Sequence, residues 1–236
     1  MTIPCIIVPI LNRPELLDKM LASIDHPVER VIVIDNGACI DTSLGGRAVM
    51  PFKVNVVRLP HNIGVAASWN AALKASPLSP WWLIVNSDIE FGAGDLARME
   101  AMVEPRANAV YYMLGMTSFA VTPPALRAVG WFDENFVLGY DEDLDWQRRA
   151  RLVGTQEVEC GFTGTHVGSA TIMSDPALRA WNGFSHGKND EYYSRKWGGP
   201  KQGGETFTTP FSRGGHVGEW HLDINRLRDQ IWPRTR

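Results

Sequence analysis

The chain has 236 residues, 44% of them hydrophobic and 21% charged, the ordinary range for a globular protein of one large or two small domains. Its net charge of -3 lacks the basic excess by which proteins coat nucleic acid or a membrane surface. The charge is uneven, because Arg195 to Arg236 holds eight Lys/Arg against four Asp/Glu and carries +4, leaving -7 on the rest. Cys5, Cys39 and Cys160 are an odd number with no paired spacing, which points away from a disulfide framework or zinc knuckle and towards a reducing, cytoplasmic setting. The first ten residues lack a basic leader region and are broken by Pro4 and Pro9, so they are expected to form a strand and not a signal peptide. No apolar run approaches the roughly 20 residues that span a bilayer.

In chain order, apolar runs at Ile6 to Pro9, Val31 to Ile34, Val54 to Val57 and Trp82 to Val85 predict strands. Helices are predicted between some of them, at Pro14 to Ile24 and Val65 to Ala75. This βαβ alternation predicts an α/β fold with a mainly parallel sheet flanked by helices. In the first helix, Asn12 is the expected cap, Pro14 suits the first turn, and Leu16, Leu17, Met20, Leu21 and Ile24 form one apolar face. A third helix is expected from Gly94 to Val103. Shorter pieces follow: Ala109 to Tyr112, Phe119 to Val121, a helix near Pro124 to Val129, and a helix running to Val153 with Gly154 as its terminal glycine. Beyond Thr163 the chain is rich in Gly, Trp and Tyr. A helix is expected through Glu191 to Trp197, then a long irregular stretch and a final helix near Leu222 to Ile231. The expected organisation is a catalytic domain over residues 1–170 with an aromatic-rich extension, 171–236, packed on it.

Trp81-Trp-Leu-Ile-Val-Asn-Ser-Asp88 is the most telling segment. Its unbroken apolar run has no period-2 alternation, the pattern of a strand buried on both faces. Asp88 therefore falls at the carboxyl edge of a central strand, where open α/β sheets bind ligands. Asp35 ends the second strand in the same topological position. Asp35-Asn36-Gly37 is equally a turn by residue type, and the second carboxylate at the same edge favours a ligand site. Such carboxylates can accept from a base or a ribose hydroxyl, or hold a divalent cation bridging phosphates. His61-Asn-Ile-Gly-Val-Ala-Ala-Ser-Trp-Asn70 opens a helix, where Gly64 permits close backbone approach and the helix N-terminus favours an anion.

Asp133 to Asp145 contains six acids and no base. Crowded carboxylates raise at least one pKa, which suits a general base. Helix capping is the competing account, and it explains Asp141 well. It leaves unexplained the aromatic and glycine frame Phe136-Val-Leu-Gly-Tyr-Asp-Glu-Asp143, which has the character of a loop shaped around a site. His166, in Gly164-Thr-His-Val-Gly-Ser, can complete a metal site with Asp88.

In order, Ile7-Val-Pro-Ile-Leu-Asn-Arg13, Val33-Ile-Asp-Asn-Gly37, His61-Asn-Ile-Gly64 with Asn70, Asn86-Ser-Asp88, Phe132-Asp-Glu-Asn-Phe136, Tyr140-Asp-Glu-Asp-Leu-Asp145 with Arg148, and His166 resemble family 2 glycosyltransferases, nearest their rhamnosyltransferase-like and galactofuranosyltransferase-like branches. The resemblance covers residues 3 to about 170. It implies a GT-A fold and transfer of a sugar from a nucleotide-diphosphate sugar to an acceptor hydroxyl with inversion. Carried over by position, Pro9, Asn12, Arg13, Asp35, Asn62, Gly64, Asn70, Asn86, Ser87 and Asp88 would bind the nucleotide sugar, with Asp35 at the base. Asp88 and His166 would hold Mn2+ or Mg2+. Asp143 would deprotonate the acceptor, with Glu142 as the second choice. One departure from the Asp-X-Asp metal element is Asn86 in its first position, an amide that brings no charge.

The tail segment Lys188 to Gly199 resembles that of some bacterial and phage members. Tyr192, Tyr193 and Trp197 either pack the extension or stack an acceptor sugar, and the +4 balance suits an anionic acceptor or donor phosphates. Trp220 and Trp232 are expected to anchor the last helix. The acceptor is open among a glycan, a lipid-linked sugar, a protein and modified DNA, and the aromatic tail suits a dimer interface as well as an acceptor. Competing functions are a non-catalytic nucleotide-sugar-binding protein, motivated by Asn86, and a sugar nucleotidyltransferase, which lacks the expected Gly-rich, basic triphosphate loop after the first strand.

Overall fold

The computed structural model describes residues 2–40, 51–168 and 176–212. The expected final helix near Leu222 to Ile231, with Trp220 and Trp232, lies outside the described residues. The elements are β1 (Ile6–Ile10), α1 (Pro14–Ala22), β2 (Arg30–Asp35), β3 (Lys53–Arg58), α2 (Val65–Ala75), β4 (Trp82–Val85), β5 (Ile89–Glu90) and α3 (Asp95–Met102), followed by β6 (Ala109–Leu114), β7 (Ser118–Val121), α4 (Pro123–Val129), α5 (Glu142–Leu152), β8 (Gln156–Glu159), β9 (Thr165–His166) and α6 (Pro176–Trp197).

Seven strands form one sheet in the order β3-β2-β1-β4-β7-β6-β8. The apolar β4 is its middle strand, and every residue of it is buried. β3, β2, β1 and β4 run parallel, β7 is antiparallel to both β4 and β6, and β8 is parallel to β6. The sheet is therefore mainly parallel. Both edges are polar: β3 exposes Lys53 and Asn55, and β8 exposes Gln156, Glu157 and Glu159, which discourages pairing with another chain.

Each sheet face has its own core. On one, Leu17, Met20, Leu21, Leu96 and Met99 of α1 and α3 cover Ile6, Val8, Val31, Val33, Leu83 and Val85. On the other, Trp69, Leu73, Ala125, Val129 and Trp146 of α2, α4 and α5 cover Ile7, Ile32, Ile34, Trp82 and Ile84. Alternate residues of one strand thus serve opposite cores, which is why the strands are continuously apolar.

Proline is rare in interior strands because it cannot donate to a ladder. Pro9 is tolerated in β1 by alternation. The Cys5 carbonyl accepts from Leu83 of β4 at 2.9 Å and the Ile10 carbonyl from Asn36 after β2 at 2.8 Å, so Pro9 turns its missing N–H towards β4. There the β1–β4 pairing has already ended at Ile7–Ile84. The two strands part at their carboxyl ends, and the crevice between them is the mouth of the site.

Two expectations about helix ends are corrected. Arg13, not Asn12, occupies the cap position of α1, in left-handed backbone (φ 61°) and without a side-chain cap. Pro14, which lacks an amide hydrogen, stands in the first turn as expected. Asp141 does occupy the cap position of α5 but makes no capping hydrogen bond; its carboxylate is turned to Lys201, 2.7 Å away. The other end of α5 behaves as expected. Gly154 (φ 70°) donates to Arg151 and Thr155 donates to Ala150 at 2.9 Å, the paired bonds of a Schellman ending.

The helix expected over Glu191 to Trp197 extends back to Pro176. Its last turn is locked in the interior. Lys196 is fully buried with its Nζ 2.6 Å from Asp133 and 2.7 Å from Asp145, and the Trp197 indole donates to Asp145 at 2.9 Å. Tyr193 and Trp197 are buried, Tyr192 donates to Asp133 and Tyr193 to Glu205. Tyr193 and Trp197 thus pack the extension, and Tyr192 is partly buried beside them. The first half of α6 is different, since Trp181 and Phe184 are 60% and 57% exposed.

Candidate active site

A cavity of about 400 Å³ opens at the carboxyl edge of β1, β2 and β4. Pro9 and Ile10 of β1 and Asn36, just past β2, line one part of it, and Asn86, Ser87 and Asp88 follow directly from β4. β5 pairs with β9 so that Ile89 faces His166. This short ribbon carries His166 back to the sheet edge, with its Nε2 3.2 Å from Asp88 Oδ1.

Glu142 and Asp143, in the first turn of α5, line the same cavity. Glu142 is buried, and its Oε2 has no hydrogen-bond partner among the described residues. Burial, with Asp143, Asp141 and Asp145 alongside, pushes its carboxyl well above the ordinary range, against a weaker pull from its own backbone N–H. Asp143 is partly buried and accepts from the Leu144 N–H at 2.8 Å. Burial raises its pKa and Asp141 adds to the effect, while the Leu144 N–H and Lys201 oppose it. A raised pKa makes the ionised Asp143 carboxylate a stronger proton acceptor than a free one.

Other expected site residues stand in different places. Asp35 is fully buried and does not line the cavity; its carboxylate accepts from the N–H groups of Gly37, Cys39 and Ile40 at 3.1 to 3.2 Å. It shapes the turn after β2 and so sets the position of Asn36, which reaches the cavity. Asn12 and Arg13 are not among the lining residues, and the Arg13 guanidinium pairs with Glu15. Asn70 is buried, accepting from the Phe132 N–H and donating to the Phe132 carbonyl; it ties α2 to the segment before the acid loop.

Asn62 lines the cavity and accepts from the Gly64 N–H at 2.9 Å. Gly64 (φ 85°) is indeed closely approached, but by this chain: an added Cβ would meet the Leu138 backbone at 3.0 Å, and the Leu138 carbonyl accepts from the Val65 N–H. The first amide of α2 therefore holds the acid loop by donating to a carbonyl. The buried indole N–H of Trp69, at the cavity wall, has no partner among the described residues. Tyr140, Leu178, Trp181 and Asn182 complete the rim. Trp181 escaped the sequence reading because Gly183 and Gly187 obscure the helical pattern of its segment.

The model of glycosyl transferase family 2 matches residues 5–147, more than half of the chain. The chain belongs to glycosyl transferase family 2. Among solved structures, S. aureus TarS 1-349 in complex with UDP is 17% identical, with a TM-score of 0.55 over 84% of this chain and 72% of that one. Full-length S. aureus TarS is 16% identical with a TM-score of 0.58, over 99% of this chain and 44% of that one. GalNAc-T7 with UDP, GalNAc and Mn2+ is 9% identical, with a TM-score of 0.56 over 96% of this chain and 55% of that one. At these identities the likeness is one of fold, and it agrees with the GT-A architecture. The chain spans 58% of the first TarS 1-349 structure matched. No curated protein matches the sequence. No helix among the described residues is long and apolar enough to cross a membrane.

The family's fold commonly works with a divalent cation. A carboxylate and an imidazole are a donor set that suits Mn2+. Asp88 Oδ1 and His166 Nε2 lie 3.2 Å apart at the cavity, so both could hold one ion. No group of three or more His, Cys, Asp or Glu that could hold a metal occurs among the described residues. The protein would contribute two ligands, leaving the others to diphosphate oxygens and water.

Proposed function

We propose that this family 2 member transfers a sugar from a nucleotide-diphosphate sugar to an acceptor hydroxyl by a single inverting displacement, with Asp143 as the base. The observation that carries the reading is that one cavity joins the Asp88–His166 pair to the Glu142–Asp143 pair. The catalytic part is residues 1–170, residues 171–236 are an extension of it, and the enzyme works in the cytoplasm. The ordered motifs favour the rhamnosyltransferase-like and galactofuranosyltransferase-like branches. UDP-sugars are the first donors to test, since the TarS and GalNAc-T7 structures hold UDP.

In this mechanism the acceptor enters past Tyr140 and Trp181. Asp143 takes the proton of its hydroxyl, the oxygen forms a bond to C1 from the face opposite the diphosphate, and the C1–O bond to phosphate breaks with its electron pair on the leaving group. Glu142, whose carboxyl burial pushes well above the ordinary range, is suited to hydrogen-bond a sugar hydroxyl. Asp88 and His166 would hold Mn2+ or Mg2+, which when bound supplies positive charge against that developing on the diphosphate. Asn86 can bond a ribose hydroxyl or a coordinated water.

Thermal shift across UDP-, GDP- and dTDP-sugars, with and without Mn2+, identifies the donor, because a ligand that binds only the folded state raises its melting point. Asp143→Asn is then expected to abolish transfer while leaving donor-induced stabilisation intact. Transfer by this variant at the wild-type rate removes Asp143 from the role.

A further inference from the structure

The loop that presents the acid pair is held from outside the segment matched by the family model, which ends at residue 147. Leu138, Tyr140 and Asp141 all have left-handed backbone, at φ 60°, 79° and 69°, a conformation that side chains other than glycine disfavour. Three such residues within four positions need external support. Asn189 of α6 provides it. This residue is 1% exposed; its Nδ2 donates to the carbonyls of Val137, Gly139 and Tyr140 at 3.0, 2.8 and 3.0 Å, and its Oδ1 accepts from the Val137 N–H at 2.8 Å. One amide side chain therefore traces the whole turn.

Lys201, beyond α6, supplies a second hold. Its Nζ lies 2.7 Å from Asp141 and 2.8 Å from Asp190. Of the three consecutive acids, Asp141 thus has its own cation, while the next two turn to the cavity. We propose that Asn189 and Lys201 are positioning residues, Asn189 imposing the turn that aims Glu142 and Asp143 into the cavity and Lys201 offsetting the charge of Asp141 beside them. This deepens the proposed function and rests on Asp143 being the base.

The charged groups acting on Asp143 are Asp141 on its own segment and Lys201 from the extension; Glu142, Asp88 and His166 share its cavity, Asp145 lies on the same helix, and Asp190 is the second partner of Lys201. Removing Lys201 leaves Asp141 uncompensated, so Asp143 should hold its proton to higher pH. Removing the Asn189 amide frees the turn and misdirects the acids without touching the residues at the ends of β1 and β4.

The test needs no ligand for two of its readouts. The ¹³C-carboxyl resonance of Asp143, assigned by its loss in Asp143→Asn, is titrated in wild type, Lys201→Met and Lys201→Arg. Its midpoint should rise by about half a unit or more in Lys201→Met and return in Lys201→Arg. Amide hydrogen exchange over residues 137–141 should quicken about tenfold or more in Asn189→Leu, as local opening becomes easier. UDP release from UDP-GlcNAc with Mn2+ should then show kcat reduced by up to about 10²-fold, with KM little changed. Should Asn189→Leu not fold, Asn189→Asp, which keeps the acceptor and loses the donor, takes its place. An unmoved Asp143 midpoint in Lys201→Met together with unchanged exchange in the Asn189 variant overturns the proposal. Wild-type turnover by Asp143→Asn would instead overturn the base assignment, leaving the titration and exchange to judge the two holds.

Discussion

Lys196→Met isolates a fully buried ionic cluster. The Lys196 ammonium is fully buried between Asp133 and Asp145, whose side chains are 4% and 0% exposed. Truncating one partner of a buried ionic group costs about 3–5 kcal/mol, because the remaining charges stay desolvated. The lower end applies here: Asp145 retains Arg149 at 2.8 Å, and Asp133 retains Asn135 and Tyr192. For a domain of this size, each kcal/mol moves Tm by about 2–4 °C, so the variant should melt about 6–12 °C lower at pH 7.5. The pH dependence gives a sharper check. Burial alone would raise the Asp133 pKa, but Lys196 and the Asn135 N–H outweigh it and hold the carboxyl well below its usual range. In wild type, Asp133 therefore stabilises the fold above the unfolded-state pKa of about 3.9, and that contribution is lost only as pH falls through the lower folded value. Without Lys196 the folded pKa moves upward, and the penalty for ionised Asp133 shrinks on acidification. The wild-type-minus-variant difference, measured by calorimetry or dye-free fluorescence melting, should narrow between pH 7.5 and 4.5. A difference below about 1 kcal/mol at pH 7.5, or one that is flat across that window, refutes the reasoning.

Glu142→Gln should stabilise the protein at pH 8 by about 2–6 °C, since it removes a buried carboxylate with an unpartnered oxygen. The raised folded pKa means its penalty is absent below the unfolded value and grows as pH rises, so the gain in melting temperature should vanish near pH 4. Asp88→Asn and His166→Ala should each weaken UDP binding in Mn2+ by about 10²-fold, at least the size of losing a supporting ligand contact, while calorimetric titration with UDP alone changes little; equal losses with and without the ion would sever both residues from metal binding. Trp181→Ala should raise the KM for a sugar acceptor about 2- to 12-fold, the range of an aromatic stacking contact, and leave UDP release with water as acceptor unaltered. A variant with unchanged acceptor KM would remove Trp181 from the entry path.

The sheet was legible because burial on two faces leaves a direct mark. The run Trp82–Val85 could be placed at the centre from composition alone, and the helical face Leu16, Leu17, Met20 and Leu21 is buried as its spacing implies. The direction of β7 was not legible, since four residues of Ser-Phe-Ala-Val fit either orientation beside β4. The start of α6 was hidden for a different reason. Its first half faces outward with exposed Trp181 and Phe184 and contains Gly183 and Gly187, so neither an apolar stripe nor propensity marks it as helix. Its position is held by the buried ionic contacts of Lys196 and the hydrogen bonds of Asn189, whose partners lie some 50 to 60 residues away.

The same distinction explains which cavity-lining residues could be found by reading along the chain. Asp88 and Asp143 announce themselves because a carboxylate at a strand end or in a crowded acidic turn has few local uses. Asp35 and Asn70 belong to motifs equally well, yet their side chains are engaged by backbone groups, and motif membership does not distinguish a residue that lines the cavity from one that builds the wall behind it. For Asp141 the capping rule was satisfied by residue type and position while the carboxylate turned to a cation 60 positions later. At Asp141 the long-range cation wins over the local amide, because a charge-assisted bond is worth roughly twice a neutral one. The acid loop is the extreme case: its left-handed residues contradict local preference, and the groups that over-rule that preference arrive only with the extension.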